Sequence, residues 1–158
     1  MPPAPGDRAP DFTSLLCDGE TFRPTSLADR LGPRGGVLVF SGFSGSAITH
    51  NWWTRYANAG WDNFDGVSVT GVTRDGPYAQ NAFLRDLDSP FALFSDVDAR
   101  AIEAFDLLTE RDGMAGTQTA RRAVFVLDAA RVVEYRWLGD DWISPVPREE
   151  IEAAIAAR

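Results

Sequence analysis

The stretch GVLVFSGFSGSAITHNWW, Gly36 to Trp53, places Ser44, Ser46, Thr49 and the chain's only histidine, His50, within one short segment. An apolar run, Val37 to Phe40, drops into a Gly/Ser loop and re-emerges as a segment of helical composition. The pattern therefore reads as strand, tight turn, helix. Two chemistries suit it. Gly42-Phe43-Ser44-Gly45 stands where a nucleophile elbow of the G-x-S-x-G kind would stand. Against that, Ser46 takes the most crowded glycine position, and the only candidate base, His50, follows almost at once. Ser46 and His50 share a helix face at four-residue spacing, but no orienting carboxylate is spaced to serve them. The second chemistry is ligand capture: glycines let successive backbone N–H groups and a helix N-terminus converge on one small polar or anionic ligand.

Other chemistries are narrowed by counting. Cys17 is the single cysteine, so no intramolecular disulfide, CxxC pair or cysteine-rich zinc site can form, and one histidine leaves no multi-histidine metal site. Neither a metal nor a cofactor is expected. Cys17 reads as a structural thiol, with a redox-responsive thiol as the alternative. The aromatics Trp52, Trp53 and Tyr56 follow the loop directly and suit either core packing, an apolar pocket or a dimer face.

Charge bounds the partners. The formal net charge is −8, and all 15 basic residues are arginine. Such an acidic, lysine-free surface strains the compact state by self-repulsion that salt screens, which is the composition of proteins from a salt-rich cytosol. It offers no basic stripe for nucleic acid or an anionic membrane. No apolar run approaches the length of a membrane span, and the N-terminal MPPAPGDRAPDF lacks the pattern of a signal peptide. A cytoplasmic location is expected.

The elements that must position the loop follow from the rest of the chain. FTSLLCDGETFRP predicts a hairpin about Asp18-Gly19, and TSLADRLG a short helix. A buried strand spans Val37 to Phe40, a helix Ser46 to Ala59, and a strand Val67 to Val72. PYAQNAFLRDLDSP predicts a helix stopped at Ser89-Pro90, FALFSDV a brief extended piece, and DARAIEAFDLL a helix by its apolar spacing. After a glycine-rich loop at Arg111 to Gly116, RRAVFVLDAARVVEYRWLG predicts a strand hairpin turning near Asp128 to Arg131. SPVPREEIEAAIAAR predicts a C-terminal helix, Pro147 near its first turn. The whole reads as one α/β domain over 1–158, a central mixed sheet flanked by helices.

The order of these segments resembles the peroxiredoxins of the AhpC/TSA type, thiol peroxidases of thioredoxin-like fold with an N-terminal β-hairpin. GDRAPDFT is similar to their opening, the region from GVTRDG to FDLL to their middle, and RRAVFVLD to their late arginine-led hairpin. Their motif P-x-x-x-T-x-x-C, laid on this chain, falls on Gly42 to Thr49. The proline position is Gly42, the threonine position Ser46 and the peroxidatic cysteine position Thr49. Arg122 matches the family's active-site arginine, with Arg121 beside it as the alternative. The resemblance implies a homodimer and a redoxin-domain scaffold. It does not imply the activity, because a threonine hydroxyl is almost never an alkoxide at neutral pH and has no sulfenate-like state to cycle through. The expectation is a non-catalytic binding or interaction module; the alternative is an antioxidant oxidoreductase drawing electrons from Cys17 or an external thiol.

Overall fold

The computed structural model describes residues 1–157. Its centre is β3 (Gly36–Phe40), every residue of which is buried. Burial on both faces demands apolar side chains at each position, and GVLVF supplies them. The alternation sends Val37 and Val39 into one core and Leu38 and Phe40 into the other.

Seven strands form the sheet in the order β2-β1-β5-β4-β3-β8-β9. β3 pairs in parallel with β4 (Ser68–Thr73), which pairs in parallel with β5 (Ala92–Ser95). On one side β1 (Thr13–Cys17) runs antiparallel to β5 and carries the hairpin partner β2 (Phe22–Ser26). On the other, β8 (Ala123–Leu127) runs antiparallel to β3 and pairs with β9 (Val133–Leu138). The predicted mixed sheet with an N-terminal hairpin is thus present, and the brief extended piece at FALFSDV is a full member of it.

Helix α2 (Ala47–Asn58) is joined on its face of the sheet by the C-terminal helix α5 (Arg148–Ala156), whose buried Ile151 and Ile155 meet Val124 and Val126 in one core. Trp53 fits because β4 carries Gly71 beneath it: a Cβ there would lie 2.5 Å from the indole and 2.7 Å from Leu93. The opposite core is built from Leu38, Phe40, Phe105 and Phe125 beneath α1 (Leu27–Arg30) and α4 (Arg100–Ala104). Helix α3 (Pro77–Leu87) starts with proline in its first turn and ends at Asp88 in the left-handed region, φ 48°.

One expectation is corrected, and one further hairpin appears. The helix predicted across DARAIEAFDLL stops at Ala104, because Asp106 takes φ 55° and turns the chain out. The glycine-rich loop at Arg111 to Gly116 is the tip of a small hairpin, β6 (Leu108–Glu110) against β7 (Gln118–Ala120). The C-terminal helix was predicted to reach Arg158, which lies outside the described residues.

Candidate functional site

The site lies beyond the carboxyl end of β3, where the parallel strands of an open α/β sheet leave a crevice. Ser41 extends the ladder by one bond, donating its N–H to Val72 O at 3.1 Å, and the chain then turns through Gly42 to Ser46 into α2. Ser46 is the N-cap. Its hydroxyl accepts from Thr49 N–H at 3.3 Å and donates to Thr49 Oγ1 at 2.9 Å. This reciprocal arrangement satisfies an orphan donor of the helix N-terminus. It also places Thr49, a residue 3 % exposed, on the inner side of the first turn.

Thr49 lines a small, partly open cavity of about 10 Å³, together with Val39, Ile48, Trp52, Tyr56 and Arg122. Arg122, just ahead of β8, is 6 % exposed. Its Nη1 donates to Ser144 O at 2.7 Å, its guanidinium carbon lies 5.4 Å from the centre of the Trp137 ring, and its Nη2 has no hydrogen-bond partner. Burial lowers its pKa, opposed by Tyr56 and by Asp141. Burial also raises the Tyr56 phenol well above its ordinary range, so the group stays protonated. Arg121 turns away, donating to Gly139 O at 2.8 Å and standing near Asp140, so Arg122 is the arginine that faces the cavity.

The loop is fixed by a polar network that joins distant parts of the sequence. Ser44 N–H donates to Asp75 Oδ2 at 2.7 Å, and the buried Ser44 hydroxyl donates to Gln80 Oε1. Thr73 Oγ1 donates to Asp75 at 2.8 Å, while Gln80 Nε2 reaches Phe94 O at 3.0 Å. Over the loop lies Trp142: a Cβ on Gly42 would stand 3.5 Å from its ring, and Arg111 stacks on the same ring at 4.8 Å. None of Asp75, Gln80, Arg111 or Trp142 was singled out from sequence as part of the loop's support. Asp75 and Arg111 fall just after strands and Trp142 in the loop after β9, whereas Gln80 lies within α3.

These placements bear on three readings. The hydrolase geometry fails, because Ser44 is 2 % exposed and locked in its network while His50 is exposed and packs edge-on toward Phe83. Trp52, 8 % exposed, lines the cavity, and Trp53, 1 % exposed, packs in the core. Cys17 is fully buried on β1, and its Sγ lies 3.8 Å from Leu15 O and 3.9 Å from Pro77 O. β5 and β4 separate β1 from β3, about 14 Å at the usual strand spacing. Burial, with Asp18 adding, pushes the thiol up to about 12. The structure therefore does not bring Cys17 to Thr49, Ser46 and Arg122.

Among the described residues, no cluster of His, Cys, Asp and Glu could hold a metal ion, and no helix is long and apolar enough to cross a membrane.

Comparison with known proteins follows the same geometry. The family model described as AhpC/TSA family matches residues 5–136. Peroxiredoxin 2 of Thermoplasma acidophilum is 28% identical over 144 residues; the aligned region takes in 84% of this chain but 64% of that protein, so the chain spans under two thirds of the curated relative's length. Among solved structures, the reduced 2-Cys peroxiredoxin of Plasmodium vivax superposes with a TM-score of 0.78 at 17% identity, covering 96% of this chain and 94% of that one. The peroxidoxin BcpB of Mycobacterium tuberculosis gives 0.78 at 20% identity, covering 98% and 95%. Those two likenesses are of fold, and they extend over nearly the whole sheet and its helices. With a family match spanning most of the sequence and the strand-loop-helix, the inward arginine and the N-terminal hairpin all in place, the chain belongs to the AhpC/TSA family and has the thioredoxin-like fold of the peroxiredoxins.

Proposed function

We propose that this chain is a redoxin-domain protein that does not run a thiol peroxidase cycle and instead uses the Thr49–Arg122 pocket to hold a small polar or anionic ligand, as a non-catalytic binding module. The observation that carries the reading is a hydroxyl, Thr49 Oγ1, at the buried end of the helix N-terminus beside an inward guanidinium. A thiolate in that place would attack a peroxide oxygen and be left as a reducible sulfenic acid. The hydroxyl has neither the acidity nor the oxidation state. What remains is a set of donors and a cation in a small cavity, which binds without transforming.

The alternative, in which Cys17 supplies the electrons, is disfavoured by that thiol's burial, its raised pKa and its place on another strand. Working as a homodimer in a salt-rich cytosol belongs to the same proposal; the acidic, lysine-free composition supports the second part. The test is steady-state turnover of hydrogen peroxide and of an organic hydroperoxide with excess dithiothreitol, in molar potassium chloride. The expected rate equals that of the Cys17→Ala variant and of reagent alone. Turnover above both, lost in Cys17→Ala, would overturn the reading.

A further inference from the structure

An Asp-Gly pair is a place where a chain can rearrange its own backbone, and this one has four: Asp18-Gly19, Asp65-Gly66, Asp75-Gly76 and Asp112-Gly113. The glycine amide nitrogen attacks the aspartate Cγ; an N–Cγ bond forms, and the amide proton and a carboxyl oxygen leave as water, giving a cyclic succinimide. Water then opens the ring at either carbonyl. Opening at Cγ restores aspartate, whereas opening at the main-chain carbonyl leaves isoaspartate, with the backbone running through Cβ and Cγ. Glycine favours the attack because it has no Cβ to obstruct its nitrogen. The step needs a free carboxyl, a free glycine N–H and a peptide unit able to rotate.

Three of the pairs lack these freedoms. Asp18 Oδ1 accepts from Glu20 N–H at 2.9 Å and Thr21 N–H at 2.7 Å, while Gly19 N–H donates to Asn81 Oδ1 at 2.8 Å. Asp75 Oδ2 accepts from Ser44 N–H and the Thr73 hydroxyl, and Gly76 caps α3 directly ahead of Pro77. Asp65 is exposed, but its peptide is clamped. Asp65 O accepts from Arg34 Nη1 at 3.3 Å and Gly66 O from Arg34 N–H at 2.8 Å. Gly66 O also lies so close to Gly32 that a Cβ there would stand 2.4 Å from it.

Asp112-Gly113 differs on every count. Both residues are exposed at the tip of the β6–β7 hairpin, and among the described residues neither the Asp112 carboxylate nor the Gly113 N–H has a hydrogen-bond or ionic partner. The tip is tied at other positions. Met114 N–H donates to Arg111 O at 3.3 Å, Arg111 N–H to Thr117 O at 3.1 Å and Thr117 N–H to Met114 O at 2.9 Å. The peptide between 112 and 113 is left to rotate without loss of a bond.

We infer that Asp112 is a site of self-modification, converted to isoaspartate through a succinimide with Gly113 while the fold is intact. The change inserts one methylene into the backbone beside Arg111, the residue whose guanidinium stacks on Trp142 over Gly42.

The full chain is incubated for weeks in neutral buffer with molar potassium chloride, and in parallel in guanidinium chloride. Electron-transfer fragmentation of the peptides around each pair then distinguishes isoaspartate from aspartate. In the folded chain isoaspartate accumulates at 112, and at least about tenfold less at 18, 65 and 75, since each of those must first break two or more hydrogen bonds. Unfolding brings the other three up toward position 112. Asp112→Glu, an exposed change that the fold accepts, removes the signal there, because the larger ring closes far more slowly. Equal accumulation at all four positions of the folded chain overturns the inference. So does its absence at 112 over a period that yields it there in guanidinium chloride.

Discussion

Replacing Thr49 by cysteine is expected to create a fast-reacting thiol in a protein that otherwise has none. The new Sγ would sit at the start of α2 with the Arg122 guanidinium lining the same cavity, and both features stabilise a thiolate. If they lower the pKa from about 8.5 to about 7, the thiolate fraction at neutral pH rises about fifteenfold from ionisation alone. Oxidation of Thr49→Cys by hydrogen peroxide, followed by mass spectrometry with a sulfenic-acid trap, should therefore exceed that of a free thiol by at least about tenfold. The gain should vanish in the double variant Thr49→Cys/Arg122→Met. A rate no higher than a free thiol's would mean that the cavity does not orient a peroxide against residue 49.

The second large effect is on stability. Gly71→Val is expected to unfold the chain at a much lower urea concentration, by about 3 kcal/mol or more, the upper end of the range for overpacking a filled core. Even a methyl group at position 71 would stand 2.5 Å from the Trp53 indole and 2.7 Å from Leu93. Neither can retreat, since Trp53 and Leu93 are 1 % and 0 % exposed. The strain acts on α2 directly, the helix that sets Ser46 and Thr49. Gly71→Val/Trp53→Leu should recover part of the loss by shrinking the side chain above the new methyls, whereas equal midpoints for wild type and Gly71→Val would contradict the packing described.

How far such effects were legible in the sequence depends on the range of the interactions. The strand-loop-helix around Gly42 was readable because five consecutive buried residues, the glycines and the Ser46 cap all lie within one local stretch. The hairpin at Asp18-Gly19 was readable for the same reason, and Gly19 does take a positive φ, 101°. The β6–β7 hairpin was not, because strands of three residues are too short to show an alternation. The end of α4 was hidden because its apolar spacing continues through Phe105 to Leu108 while the backbone turns out at Asp106. At the site, Thr49, Ser46 and Arg122 came from a motif and its spacing, and Arg122 was separable from Arg121 only in three dimensions. The Ser44–Asp75–Thr73–Gln80 network joins hydroxyl, carboxylate and amide groups across 29 to 36 residues of sequence. Nothing local marks it. The same holds for Trp142 over Gly42, which supplies from another segment the cover that a loop without proline needs.

The sulfur of this chain and its arginine pocket are separate, and one rate tests that separation. That rate is the oxidation of Cys17 by stoichiometric hydrogen peroxide, read by intact mass in molar potassium chloride. With the thiol pushed up to about 12 and fully buried, the thiolate fraction at neutral pH is on the order of one part in 10⁵. The predicted oxidation is therefore far slower than that of a free thiol and unchanged by Arg122→Met. Oxidation faster than a free thiol's, collapsing when Arg122 is removed, would contradict the account by showing that Cys17 reaches the pocket.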